Sequence, residues 1–296
     1  MAIVTHGESG MPAPLEFTQV DVFASRKLEG NPLAVFHSGE GLSTAEMHAI
    51  AREMNLSETT FLFRDRAGAD ARVRIFTVRT ELPFAGHPTL GTAFIVAKSR
   101  PRQAEIRLRL KVGVIPVTVS RKRGQTYLEM RQNDPVFGAQ AEPRSLAEAL
   151  GIDVSDLDSR CPPQIVSTGL PFLVAPLRNT DAMARLAPNW KLLGPLLAGL
   201  GAHFPYYVVA GERQIEGRMF GPDFEDPATG SGAGCAAAYL VRYGLRPTDR
   251  RFIIRQGRFV RRPSRIFARA SLSGDRVHDV RVGGYVVEVI RGKLRL

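Results

Sequence analysis

Cysteine is nearly absent from this chain. Cys161 and Cys235 are the only two among 296 residues, which excludes a disulfide framework and fits a reducing cytoplasm. Long apolar runs are missing too, so no stretch approaches membrane-spanning length and no membrane partner is expected. Met1 to Leu15 contain Gly, Ser and two prolines without the hydrophobic run of a secretory signal, and residues 1–14 are read as a loose tail. Acidic residues are in deficit: 29 Asp and Glu face 40 Lys and Arg, for a net charge of +11. A hydrophobic content of 44% over this length excludes a disordered chain and provides for one large or two medium domains with real cores.

Cofactor signatures are equally scarce. There is no Walker A sequence and no cluster with metal-ligand spacing. In Gly230-Ser231-Gly232-Ala233-Gly234 the third glycine of G-x-G-x-x-G is replaced by Cys235, and the segment follows Asp226-Pro227 rather than a clear strand. The chain is therefore read as needing neither cofactor nor metal. Its positive charge is densest at Arg100 to Arg109, Arg121 to Arg123 and Arg251 to Arg265. No helix-turn-helix, zinc finger or aromatic RNA-binding signature accompanies these patches, so nucleic acid is not the expected partner. A small anionic substrate suits the same charge.

What the chain does hold is one phrase used twice, Glu81-Leu-Pro83-Phe-Ala-Gly86-His87 and Glu225-Asp-Pro227-Ala-Thr-Gly230-Ser231. Both read E-x-P-x-x-G plus a polar residue, at an offset of 144 residues (225 − 81). Each then opens an apolar, small-residue helix, read as Thr89 to Lys98 and Ala233 to Arg242, with Gly86 and Gly230 as turn glycines. Self-similarity at this distance predicts two related halves. A helix N-terminus gathers free N–H groups and a positive dipole end, so each half offers a place for a carboxylate or developing oxyanion.

Elsewhere, alternation of apolar and polar residues predicts strands at Phe17 to Phe23, Asn31 to Phe36, Thr59 to Arg64, Ala71 to Val78, Glu105 to Leu110, Gly113 to Ser120 and Thr126 to Arg131. Arg121-Lys-Arg123-Gly124 reads as a hairpin turn between the last two. Ser43 with Glu46 forms a capping box, and Met47, Ile50, Ala51 and Met54 share one face of a helix from about Thr44 to Asn55. Asn133-Asp134-Pro135 reads as a linker. Beyond it come helices at Ser145 to Leu150 and Trp190 to Leu200, an extended stretch from Gln164 to Pro176, and strands at Phe204 to Ala210 and Ile215 to Phe220. The predicted fold class is α+β, two pseudo-symmetric lobes that each wrap a β-sheet around a central helix, covering residues 15–132 and 133–283.

Several runs together resemble the PhzF family of phenazine-biosynthesis isomerases: Phe17-Thr-Gln-Val-Asp-Val-Phe23, Gly30-Asn-Pro-Leu-Ala-Val35, Met54-Asn-Leu-Ser-Glu58-Thr-Thr-Phe61, Glu81 to Pro88 and Glu225 to Ser231. Thr168-Gly-Leu-Pro171, Arg262-Pro-Ser264, and Val282-Gly-Gly284 through Arg291-Gly292 extend the resemblance from about Leu15 to the C-terminus. It implies the diaminopimelate-epimerase-like fold with the active site between the lobes, a homodimer, and a final strand, about 284–296, that crosses back to complete the first lobe. One departure is Phe259-Val-Arg-Arg262, where relatives tend to be glycine-rich and bulkier residues would reshape the loop.

Diaminopimelate epimerase and proline racemase, relatives in that fold, place a cysteine at each helix start. Here those positions are His87 and Ser231, while Cys235 lies four residues into the second helix and is expected to face the core. A two-thiol racemase is excluded on this reading and a single base remains. Glu58 opens an apolar strand after a helix, where partial burial would raise its pKa toward working pH. The resemblance implies that Glu58 takes a proton from one carbon of a cyclic diene and returns it to another on the same face. It makes His87 a hydrogen-bond partner of Glu58, and Asp226, Ser231 and the backbone at Gly86 and Gly230 the groups that hold substrate or relay the proton. The bland reading of Asp226 and Ser231 is helix capping. The implied substrate is trans-2,3-dihydro-3-hydroxyanthranilate. The alternatives are a related enzyme acting on another small amino or carboxylic acid and a non-catalytic basic binding protein, the latter having no need of the set Glu58, His87, Asp226 and Ser231.

Overall fold

Period-two alternation turns most of this chain into strands. A computed structural model describes residues 14–122, 124–212 and 214–296. The expected tail, apart from Pro14, lies outside the described residues, as does Arg123 of the hairpin. The first half contains β1 (Leu15–Val22), β2 (Asn31–Phe36), α1 (Thr44–Met54), β3 (Thr59–Phe63), β4 (Ala71–Phe76), β5 (Glu81–Leu82) and α2 (Gly86–Lys98). It continues with β6 (Glu105–Leu110), β7 (Gly113–Lys122) and β8 (Gln125–Arg131). The second contains β9 (Val136–Gln140), α3 (Pro143–Leu150), β10 (Gln164–Ser167), β11 (Pro171–Leu177), α4 (Thr180–Arg185), α5 (Trp190–Leu200), β12 (Phe204–Ala210) and β13 (Ile215–Arg218). It ends with α6 (Gly230–Arg242), β14 (Phe252–Gln256), β15 (Ser264–Ser273) and β16 (Arg276–Leu294).

The architecture is α+β, and the strands form one continuous hydrogen-bonded sheet. Strands β1, β2, β3, β4, β6, β7, β8 and β16 close into a ring of eight, because β16 pairs with both β8 and β1. The other side of β16 continues through β15, β14, β13, β12, β11 and β10 to β9. Pairing senses repeat along the chain. Parallel pairs β2–β3 and β4–β6 in the first half have counterparts β11–β12 and β13–β14 in the second, with antiparallel pairs between. The final strand, β16, runs from Arg276 to Leu294, and its last part pairs with β1.

Helix α2 is buried on nearly every side within the ring and α6 is buried likewise against β10, β11, β12, β15 and β16. Apolar residues all round such a helix leave it no stable position but the centre. Both helices start three residues before their predicted first positions, so Gly86 and Gly230 are first helical residues rather than turn glycines. Neither has a positive φ. The reason for glycine is close approach: a Cβ on Gly86 would lie 3.2 Å from the Ser231 nitrogen, and one on Gly230 would lie 3.0 Å from the Phe23 ring and 3.7 Å from the Gly86 Cα. The two helices meet N-terminus to N-terminus.

The repeat extends beyond the phrase that revealed it. Arg74 grips Glu81 through Nε at 2.8 Å and Nη2 at 2.7 Å, and Arg218 grips Glu225 through the same atoms at 3.2 and 2.9 Å. Each arginine also covers the phenylalanine two residues on, Phe76 or Phe220. Arg79 and Asp223, themselves at equivalent positions, meet across the junction at 3.0 Å. Helix α4 and strand β9 escape sequence reading: α4 has only six residues, and β9 is exposed along most of its length. Fork-shaped pairs this enclosed are costly to break. Arg218→Ala, which strands Glu225 at 13% exposure, is expected to lower unfolding free energy by about 3 kcal/mol. Arg79→Ala, at a pair 78% and 61% exposed, is expected to cost less than about 1 kcal/mol, both read from urea denaturation.

Candidate active site

Glu58 owes its position to the end of α1. The helix is opened by the Ser43–Glu46 capping box and closed by Asn55 in the left-handed conformation, which turns the chain into β3. Thr59 and Thr60 are fully buried, and the strand they begin draws the preceding glutamate inward. The Glu58 side chain keeps 16% of its exposure, but its Oε2 is buried, 3.3 Å from Nε2 of His87. Burial, with a smaller contribution from the nearby Asp226 charge, pushes the Glu58 carboxyl up to about 8. Burial alone pulls the His87 imidazole down to about 3. Both groups are therefore neutral near pH 7, and the contact is not an ion pair. Neither Oε2 nor Nε2 has a hydrogen-bond partner of good geometry among the described residues.

His87 is the second residue of α2, and Asp226 arrives from the loop before α6. Asn31, at the start of β2, joins them. Its Nδ2 lies 3.2 Å from Nδ1 of His87, 2.6 Å from Oδ1 of Asp226 and 3.0 Å from the Ala228 carbonyl. Asp226 also accepts from the Thr229 hydroxyl at 2.6 Å, and burial raises its pKa against these hydrogen bonds. Gly86 packs on the first turn of α6. The six anticipated residues thus converge where the two helices meet. Ser231 is half-buried, lies one residue inside the helix, and its hydroxyl has no hydrogen bond among the described residues. The cap position belongs to Thr229, whose side chain bonds Asp226 rather than the helix, so Ser231 sits near the cap, two residues past it, without occupying it.

Four residues that sequence reading left out of the site support it. Asn31 is one. Gln132 donates to the Gly230 carbonyl at 3.1 Å and accepts from Thr168, and Gln256 donates to the Asp226 carbonyl at 2.8 Å while accepting from the Thr229 N–H. Arg262, from the departing Phe259 to Arg262 segment, donates to the Gly30 and Glu29 carbonyls and pairs with the buried Asp21 at 2.7 Å. Polar residues at the ends of apolar strands, where burial demands a partner, were the available signal. Cys235 is fully buried beside Thr168, with its thiol pushed up to about 11, so it is a core residue as expected. Among the described residues no group of three or more His, Cys, Asp or Glu is placed to hold a metal ion, and no helix is long and apolar enough to cross a membrane.

The sequence profile of the family described as phenazine biosynthesis-like protein matches residues 20–292. The chain belongs to this PhzC-PhzF family. It is 38% identical over 288 residues to the trans-2,3-dihydro-3-hydroxyanthranilate isomerase of Pseudomonas fluorescens, covering 94% of this chain and 98% of that protein. To the Pseudomonas aeruginosa protein of the same name it is 35% identical over 291 residues, covering 95% and 99%. The solved structure of a predicted epimerase from Pseudomonas aeruginosa superposes with a TM-score of 0.84 at 39% identity, over 95% of this chain and 99% of that one. With relatives so named over 94–95% of its length, this PhzF-family chain is an isomerase.

The burial of Glu58 has a measurable consequence for stability. Its folded pKa of about 8 lies above the ordinary 4.5, so the folded state holds the proton more tightly. The resulting stabilisation is complete below about pH 4.5 and lost as pH rises through about 8. Glu58→Gln removes the burden of a buried carboxylate. It is expected to raise Tm by several degrees at pH 9 and to change it little at pH 5, read by calorimetry at both values.

Proposed function

We propose that this chain is a cofactor-independent isomerase that moves a proton and a double bond within a small cyclic carboxylated substrate. The substrate that fits the names of its relatives is trans-2,3-dihydro-3-hydroxyanthranilate, in phenazine-type biosynthesis. The observation that carries this reading is the Glu58 carboxyl, raised to about 8 and set 3.3 Å from a neutral His87. A carboxyl so tuned exchanges a proton with carbon at working pH in either direction.

In this reading the Glu58 carboxylate removes a proton from one ring carbon, and the electron pair left behind moves through the conjugated double bonds. The protonated Glu58 then returns the proton to a second carbon on the same face. One C–H bond breaks, one forms, and nothing is oxidised or reduced, so the step calls on no cofactor. Negative charge that gathers on the substrate carboxylate is met by the N–H groups of Gly230 and Ser231, which have no intrahelical partners at the start of α6. Asp226 receives the substrate amino group and His87 orients Glu58. The same reading takes residues 15–132, completed by the last strand, and 133–283 as two pseudo-symmetric lobes with the substrate between them. It places a homodimer of such chains in the cytoplasm.

The test is incubation with trans-2,3-dihydro-3-hydroxyanthranilate in deuterated water, followed by NMR. The expected result is turnover, with deuterium on the reprotonated carbon to the extent that the Glu58 proton exchanges with solvent. Glu58→Gln is expected to lower kcat by about 1000-fold or more. Because the free carboxylate is the base, kcat/KM should rise with pH through about 8. Absence of turnover by the folded wild type would reject this substrate and direct attention to other small amino or carboxylic acids.

A further inference from the structure

Asn31 is fully buried, and three acceptors crowd its amide nitrogen: Asp226 Oδ1 at 2.6 Å, the Ala228 carbonyl at 3.0 Å and His87 Nδ1 at 3.2 Å. The orientation of this amide is not free. Turned over, it would press its own oxygen against the Ala228 carbonyl, which has no proton to give, and against the oxygen of Asp226 that now stands 2.6 Å from the amide nitrogen. With NH2 toward them, the same group faces Nδ1 of His87, which must then be the bare, accepting nitrogen. The ring proton of the neutral imidazole is left on Nε2, the nitrogen facing Glu58.

The geometry points to Asn31 as a positioning residue that fixes the His87 tautomer and, through it, the oxygen on which Glu58 carries its mobile proton. Nε2 lies 3.3 Å from Oε2 of Glu58, so a small turn of either group lets Nε2–H donate to Oε2 and leaves the exchangeable proton on Oε1. A carboxyl that always presents one oxygen delivers its proton from one place, which a transfer confined to one face requires. With the opposite tautomer, the bare Nε2 would draw the Glu58 proton toward itself and away from the substrate.

The support behind Asn31 comes from the other half of the chain. Arg262 donates to the Gly30 carbonyl at 2.8 Å and to the Glu29 carbonyl at 2.9 Å, and the Gly30 N–H reaches the Pro263 carbonyl at 3.1 Å. The turn that delivers Asn31 is thus held by the segment around Arg262, while the amide itself is set by Asp226 and Ala228. The inference rests on the proposed roles of Glu58 and His87, but its decisive measurement needs no substrate.

That measurement is nitrogen NMR of the His87 ring in the whole, substrate-free protein. The wild type is expected to show a single tautomer, with Nδ1 bare and Nε2 protonated across pH 6–8. A protonated Nδ1 or a mixture would overturn the inference whatever the substrate proves to be. Asn31→Leu keeps the volume and removes the amide, and Asn31→Ala is the second variant should the first fail to fold. Either is expected to give mixed tautomers, kcat lower by roughly 10- to 100-fold and KM within about threefold. The rising limb of the pH profile should move as well. A variant with Nε2–H still fixed, or with KM alone affected, would show that Asn31 is only structural. Loss of wild-type turnover with the tautomer fixed as expected would reject the substrate and leave the inference intact.

Discussion

Two helices meet end to end at the centre of this protein, and the space between Gly86 and Gly230 sets how close they come. No side chain fits there, because a Cβ on either residue would press on the backbone or on Phe23. That approach places His87, at the start of α2, within reach of a hydrogen-bonded chain that begins at Asp226, before α6. It also brings together two helix N-termini, whose first N–H groups lack intrahelical partners. The Arg74–Glu81 and Arg218–Glu225 grips hold the segments leading into these helices, one in each half.

Charge is handled sparingly at this junction. Glu58 and His87 are both buried, and both are neutral near pH 7 because burial raises the carboxyl and lowers the imidazole. A charged pair there would have required further hydrogen bonds to offset desolvation. The neutral pair leaves each group with an unmet polar atom. The surrounding Thr229 and Gln256 are instead well bonded, while Asn31 bonds through its Nδ2 and leaves its own Oδ1 without a partner among the described residues.

Much of the fold was legible because its elements carry strong local signals. The Ser43–Glu46 capping box and the alternation of Glu105 to Leu110 each gave an element with boundaries close to those observed, and the helix read at Trp190 to Leu200 coincides with α5. Helix α2 began earlier than read because Gly86, His87 and Pro88 look like a turn in isolation, and only packing at the junction makes them helical. Strand β9 was invisible for the opposite reason: it is mostly exposed and exists through its pairing with β10. Of the site, Glu58, His87, Asp226 and Ser231 stood out by motif. Asn31 and Arg262 did not, because nothing local to either residue shows which partners a distant segment supplies.

By itself the sequence determined the repeat and the absence of thiols at the helix starts, since these depend on residue type and spacing. Only the tertiary structure decided that β16 closes the ring against β1 and that Asn31 sits between His87 and Asp226. The physical reason is separation along the chain. Asn31 is 195 residues from Asp226 and Arg262 is 241 from Asp21, and bonds over such distances follow from how two halves pack, which no local pattern encodes.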